Sequence, residues 1–146
     1  MTVDVTTGDA YEAALRALHH RDRTEFEIDE YLRSRGFSDD DRSQALEKLR
    51  HTGLVNDARF AQSRASALAE RRAGNALIRA RLAEAGVARE LVDGALEVVD
   101  SELERARRIV QSRGVSPKTA RYLHGKGFSD GVIRAVIAAG DDGELG

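Results

Sequence analysis

Leu32-Arg33-Ser34-Arg35-Gly36-Phe37 recurs in this chain as Leu82-Ala83-Glu84-Ala85-Gly86-Val87, and again as Leu123-His124-Gly125-Lys126-Gly127-Phe128. The same step past each Gly leads to an apolar pair: Ala45-Leu46, Ala95-Leu96 and Val136-Ile137. The outer copies agree further, Tyr31 matching Tyr122 and Phe37-Ser38-Asp39 matching Phe128-Ser129-Asp130. Agreement at so many positions marks a triplication, one unit written three times with spacers of unequal length. Each Gly follows an apolar helical pattern and precedes a fresh helix start. That is where the residue just past a helix end turns left-handed, a conformation Gly adopts cheaply.

Working outward from these turns, Ser38 and Ser129 read as N-caps, and Asp39, Asp40 and Asp41 place negative charge where a helix N-terminus favours it. Thr24 with Glu27 fits a capping box, Ser116-Pro117 an N-cap with Pro at the first helical position, and Asn56-Asp57 a third helix start. Apolar spacings such as Tyr11, Leu15, Leu18 and Leu103, Ala106, Ile109, Val110 support the intervening helices. The spacing predicts helices over 8–20, 24–35 and 38–51, then 56–73, 75–85 and 88–99, then 101–113, 116–126 and 129–139. The expected fold is therefore all-α, with three tandem three-helix repeats at 8–51, 56–99 and 101–139. The acidic, Gly-rich stretch 140–146 reads as a disordered tail. No linker separates Asp100 from Ser101, so the second and third units share either a continuous helix or a tight bend. Units this small have little core of their own and must pack on one another. A row of them makes an elongated, curved body whose long face suits filaments, strands or helices.

Composition agrees with this reading and removes several classes. Of 146 residues 41% are hydrophobic and 33% charged, with one Pro and seven aromatics (four Phe and three Tyr), too few turns for a sandwich or barrel. With no Cys there is no disulfide framework, no thiolate zinc site and no Cys nucleophile, which suits a reducing cytoplasm. No apolar run approaches the roughly 20 residues that span a bilayer. Met1 to Asp9 lacks the basic and apolar regions of a signal peptide. A cytoplasmic protein without a membrane partner is expected.

No constellation of side chains here carries catalysis, so the chain reads as a non-enzyme with no metal and no cofactor. His19 and His20 diverge on a helix and have no third ligand, and read as helix-end residues near the last carbonyls. Gly125-Lys126-Gly127 lacks the spacing of a phosphate-binding loop. Arginine is the informative residue. Residues 1–50 carry 8 basic and 12 acidic side chains, 51–100 carry 7 and 7, and 101–146 carry 8 and 6, for a net charge of −2. Between Arg59 and Arg81 six Arg face Glu70 alone, and Arg105 to Lys126 contains no acid, so its charges find no pairing partner within that stretch. The surface is polarised, acidic at the first unit and basic towards the end. The basic side chains that read as contacts for a partner or for nucleic-acid phosphates are Arg64, Arg71, Arg72, Arg79, Arg107, Arg108, Arg113 and Arg121. Tyr31, Phe37, Tyr122 and Phe128 sit at core-like repeat positions, which leaves no aromatics to stack bases.

These residues resemble the RecX family, small bacterial regulators of the RecA recombinase. The resemblance runs from about residue 10 to about 139. It rests on Ala14-Leu15-Arg16-Ala17-Leu18, Arg23 to Ile28 and Leu32 to Phe37, then on Gly53-Leu54-Val55-Asn56-Asp57-Ala58-Arg59-Phe60-Ala61, Arg71-Arg72-Ala73-Gly74, and Ala120-Arg121-Tyr122-Leu123 with Gly127-Phe128. It implies three tandem three-helix repeats in a crescent. It implies a negative modulator that lodges in the groove of the RecA–single-stranded-DNA filament and suppresses its ATPase, strand exchange and co-protease activities. Roles in DNA repair, homologous recombination and the SOS response would follow. The expected partner is the RecA filament, with ssDNA or dsDNA touched through phosphates by a monomer.

Two rivals stand beside that reading. A helix-turn-helix-type DNA-binding protein acting without RecA would bind duplex tightly with a steep salt dependence. A passive helical adaptor would show neither activity.

Overall fold

The structure is a computed structural model in which residues 7–145 are described, with side chains described over 8–140. Among the described residues the chain forms nine helices and no strand: α1 (Thr7–His20), α2 (Glu25–Ser34), α3 (Asp39–His51), α4 (Asp57–Glu70), α5 (Asn75–Glu84), α6 (Arg89–Val98), α7 (Glu102–Arg113), α8 (Pro117–Gly125) and α9 (Asp130–Leu145).

The caps fall where the sequence puts them. Thr24 and Glu27 form a reciprocal capping box at α2, and the side chains of Ser38, Asn56, Ser101 and Ser116 each accept a bond from the backbone N–H three residues on. Pro117 opens α8, where its missing N–H costs nothing within the helix. Gly36, Gly86 and Gly127 all stand at positive φ, between 82° and 89°. Between the second and third units the chain makes a bend: Val99 is extended and Ser101 caps α7.

Helices pack in threes around separate cores. Ile28, Leu32, Ala45, Leu49 and Val55 are sealed in the first, Phe60, Ile78, Leu82 and Val92 in the second, and Ile109, Leu123, Phe128, Ile133 and Val136 in the third. The first and third helices of each triplet make its closest packing. In α1 the residues facing the core are Ala10, Ala13, Ala14 and Ala17, while Tyr11, Leu15 and Leu18 sit half-buried at its border. The helix spacing was legible, but the close approach of α1 to α3 gives the interior to the small residues of the stripe. The accessible surface, 8980 Å², exceeds the roughly 7,400 Å² of a compact monomer of this mass, as separate cores in a row require.

The sequence reading expects a loose tail from 140 onward; instead α9 continues as far as Leu145, and Gly146 lies outside the described residues, as does 1–6. Gly140 is a weak helix former but no breaker. It also sits so near the Val115 side chain that a Cβ there would collide with it.

One joint links the triplets twice. At the first, the Thr24 hydroxyl donates to Ala85 O at 2.5 Å and Glu25 N donates to Asp57 Oδ1 at 2.9 Å. At the second, Gly74 N donates to Lys126 O at 2.7 Å and Asn75 N to Glu102 Oε2 at 2.6 Å. In both, the start of a triplet's second helix rests on the glycine turn of the next triplet. In both, the first residue of the following α4 or α7 supplies a carboxylate to that start, satisfying an N–H the helix cannot use. Gly74 has no alternative: a Cβ there would strike the backbone of Gly127 and Phe128.

Candidate nucleic-acid and partner interface

All eight candidate arginines are exposed, but the structure does not leave all of them free. Arg79 Nη1 pairs with Asp93 at 2.7 Å. Arg107 reaches Glu104 and Arg108 reaches Asp100, each at 2.7 Å. The acid-free run from Arg105 is thus partnered from just upstream, which corrects the expectation that its charges have no local partner. Arg64 lies over the Phe60 ring at 5.0 Å and Arg113 over Tyr122 at 3.8 Å, both still able to meet an anion on the open side. Arg71, Arg72 and Arg121 have no ion pair among the described residues.

Arg72 and Arg108 converge. They line a cleft of about 390 Å³ between α4 and α7, with Ser66, Ala69, Glu70, Val99, Asp100, Arg105 and Ile109. Arg64, Arg79, Arg113 and Arg121 do not line it. Arg72 is the one described non-Gly residue at positive φ, 68°. It stands two residues before the Gly74 cap of α5, as Gly114 (φ 86°) stands two before the Ser116 cap of α8. A left-handed non-Gly residue is strained, and such residues gather where a side chain must be aimed.

Arg105 is the residue the sequence reading missed. It is 6% exposed, its Nη1 and Nη2 held by Asn75 Oδ1 (2.6 Å from Nη2), Asp100 O and Ala73 O. All these acceptors are neutral. Its Nε is the one buried side-chain nitrogen or oxygen among the described residues without a hydrogen-bond partner. Burial pulls the guanidinium below its ordinary value, while the nearby Glu102 and Asp100 favour its charge. The first joint handles its cation otherwise: Arg50 bonds the Glu25 carboxylate at 2.6 Å near the surface, and that contact raises its pKa.

Of the other candidates, His19 and His20 pack edge to face, 6.1 Å between ring centres, and the described residues hold no cluster of three metal-ligating side chains. Asp39 closes onto Arg42, which also holds Asp29 at 2.9 Å. No helix among the described residues is long and apolar enough to cross a membrane.

The molecule is thus an all-helical chain of three-helix modules with a basic cleft at its second joint. Residues 10–49 match the family model of the first three-helix domain of RecX, and residues 56–96 that of the second. The regulatory protein RecX of Halorhodospira halophila is 32% identical over 90% of this chain and 88% of its own length. That of Trichlorobacter lovleyi is 30% identical over 94% and 99%. The relative from Geobacillus kaustophilus is longer, the match spanning 54% of it. A crystal structure of RecX from Lactobacillus salivarius shares the fold with a TM-score of 0.80 and 24% identity, covering 92% of this chain and 96% of that one. The chain belongs to the RecX family of regulatory proteins.

Proposed function

We propose that this chain is a negative modulator of RecA that binds the RecA–ssDNA filament and inhibits its ATPase, strand exchange and co-protease activities. The observation that carries this reading is the match to named RecX regulatory proteins along nearly their whole length. Charge placement supports it as well. Residues 1–50 carry four more acids than bases and residues 101–146 two more bases than acids, so the two ends favour oppositely charged surfaces. In this reading three tandem repeats form a curved, elongated monomer along the filament groove. The basic second and third units meet acidic RecA surface or DNA phosphates, and the acidic first unit meets a neighbouring protomer. Bridging two protomers holds them against the rearrangement that ATP turnover needs. The protein acts in the cytoplasm, in DNA repair, recombination and the SOS response, without catalysis of its own.

The test is ATP hydrolysis by RecA on single-stranded DNA, titrated with this protein. Loss of hydrolysis well below one copy per RecA supports capping or disassembly of the filament, and loss only near saturation supports coating of the groove. A quadruple variant with Arg71, Arg72, Arg107 and Arg108 each changed to Glu is expected to fold and to lose inhibition. Full inhibition by that folded variant removes the basic-face mechanism. Tight duplex binding with no effect on hydrolysis moves the function to a DNA-binding protein acting alone.

A further inference from the structure

The cleft at the second joint has a feature the first joint lacks. At the first, the helix start carries Glu25, and Arg50 pairs with its carboxylate. At the second the equivalent residue is Asn75, so Arg105 meets an amide where a carboxylate would be. A guanidinium that is 6% exposed, hydrogen-bonded only to neutral oxygens and left with an idle Nε–H has its charge met only from a distance, by the Glu102 and Asp100 carboxylates it does not bond and the Phe128 ring 5.8 Å away, and can still take an anion. Arg105 lines the cleft, and Arg72, strained into the left-handed region, lines it too. Arg108 there is already matched by Asp100.

We propose that this cleft is a binding subsite for a carboxylate side chain, Asp or Glu, presented by a partner protein, with Arg105 at its base and Arg72 at its side. The proposal rests on the filament-binding reading above and names one contact within it. A volume of about 390 Å³ suits a single inserted side chain and the residues beside it. The remaining lining favours a protein over a nucleic acid. Ala69, Val99 and Ile109 make part of the wall apolar, and Val98 next to it is 64% exposed. The Glu70 and Asp100 carboxylates repel a run of phosphates but leave room for one anion on an apolar stem. Counted over the lining, Arg72, Arg105 and Arg108 against Glu70 and Asp100 leave one positive charge, the complement of one carboxylate.

Two measurements test it separately from the parent reading. In the first, the Arg105 Nε–H resonance is followed by NMR while N-acetylglutamate is added. A saturable shift is expected, and it should vanish in Asn75→Asp, which places a carboxylate on the Nη atoms that now hold the amide oxygen. No saturable shift, or a shift that survives in a folded Asn75→Asp, overturns the subsite.

The second uses the absence of Cys. Ser66→Cys, on the cleft wall, and Ser43→Cys, exposed on α3 in the first triplet and outside the cleft, are each alkylated with a bulky maleimide. Alkylation at 66 is expected to weaken binding to the RecA–ssDNA filament roughly 10- to 100-fold, the range for a lost charge-assisted contact, and alkylation at 43 to leave it unchanged. Equal filament binding by both overturns the subsite and leaves the RecA reading standing. A matching loss of binding to free ssDNA at 66 assigns the cleft to phosphate and also overturns it. If the unalkylated protein fails to bind the filament, the RecA reading falls, and the NMR titration still decides the subsite.

Discussion

The two joints of this molecule use one strut and two cations. In both, a carboxylate at the first residue of α4 or α7 takes the N–H at the start of the preceding triplet's second helix: Asp57 from Glu25, Glu102 from Asn75. In both, that start rests on a glycine turn, Phe26 lying over Gly86 and Leu77 over Gly127. The difference is charge. Arg50 at the first joint is exposed and ion-paired, whereas Arg105 at the second is buried and is not. On the proposal above, the cation left unpaired at the second joint is the one a partner's carboxylate would meet. In the third triplet Pro117 holds the position of Glu25 and Asn75 and has no N–H for a carboxylate to take.

The glycine turns give the largest effect. Gly127→Ala puts a Cβ 2.7 Å from Leu77 N, while at Gly36, which has the same φ and begins the row, a Cβ meets nothing within 4 Å. Both variants bear the left-handed strain of about 1 kcal/mol, and only Gly127→Ala adds a backbone clash, for a total of about 3 kcal/mol. Urea unfolding followed by circular dichroism measures the gap. Equal losses would mean that the second joint is open in solution.

The cations come next. Arg105→Met takes the guanidinium from the buried Ala73 O and from Asn75 Oδ1 and Asp100 O at its part-buried edge, and is expected to cost about 2–3 kcal/mol. Arg50→Met removes an exposed pair and is expected to cost less than about 1 kcal/mol. Comparable losses in urea unfolding would erase the distinction between the joints. Smaller again is the strain at Arg72. Arg72→Gly is expected to stabilise by about 0.5 kcal/mol, strain relief set against the freer unfolded chain, and Arg72→Ala to give no such gain. Both should weaken filament binding, since both remove the guanidinium. A stabilised Arg72→Gly that binds normally would show the strain to be idle.

The helices were legible because their signals are local. A Ser, Thr or Asn three residues ahead of an N–H, a Gly past an apolar run and the spacing of Leu103, Ala106, Ile109 and Val110 need only the neighbouring turns. The joints were not, because they depend on how one triplet meets the next. Asn75 and Glu102, or Thr24 and Ala85, carry no mark of each other in sequence. Arg105 sat unremarked among Arg107 and Arg108, though its spacing of four from the buried Ile109 sets it on the inner face of α7. The eight candidate arginines lie at the surface, and three of them are ion-paired. Their ion pairs with Glu104, Asp100 and Asp93 lay just outside the stretch whose charges were counted.

The strut itself can be probed by pH, with the smallest effect of all. Burial is the main cause that raises Asp57 above its ordinary 3.8, the bond from Glu25 N opposes it, and the Glu25 and Glu27 charges add to the rise. A carboxyl whose folded pKa lies above its unfolded one favours folding most when protonated in both states, below 3.8. That contribution is lost as pH climbs through the raised value, so at neutral pH the ionised Asp57 costs stability. Asp57→Asn keeps an oxygen to accept from Glu25 N and removes the titration. The variant is expected to gain a few tenths of a kcal/mol over the parent at neutral pH, since the group is partly solvated, and to lose that advantage as pH falls towards 3.8. Urea midpoints for both proteins across that range give the curve. An advantage for Asn that grows on acidification would mean that Asp57 is held as a favoured carboxylate. The first joint, like the second, would then depend on a charge it needs.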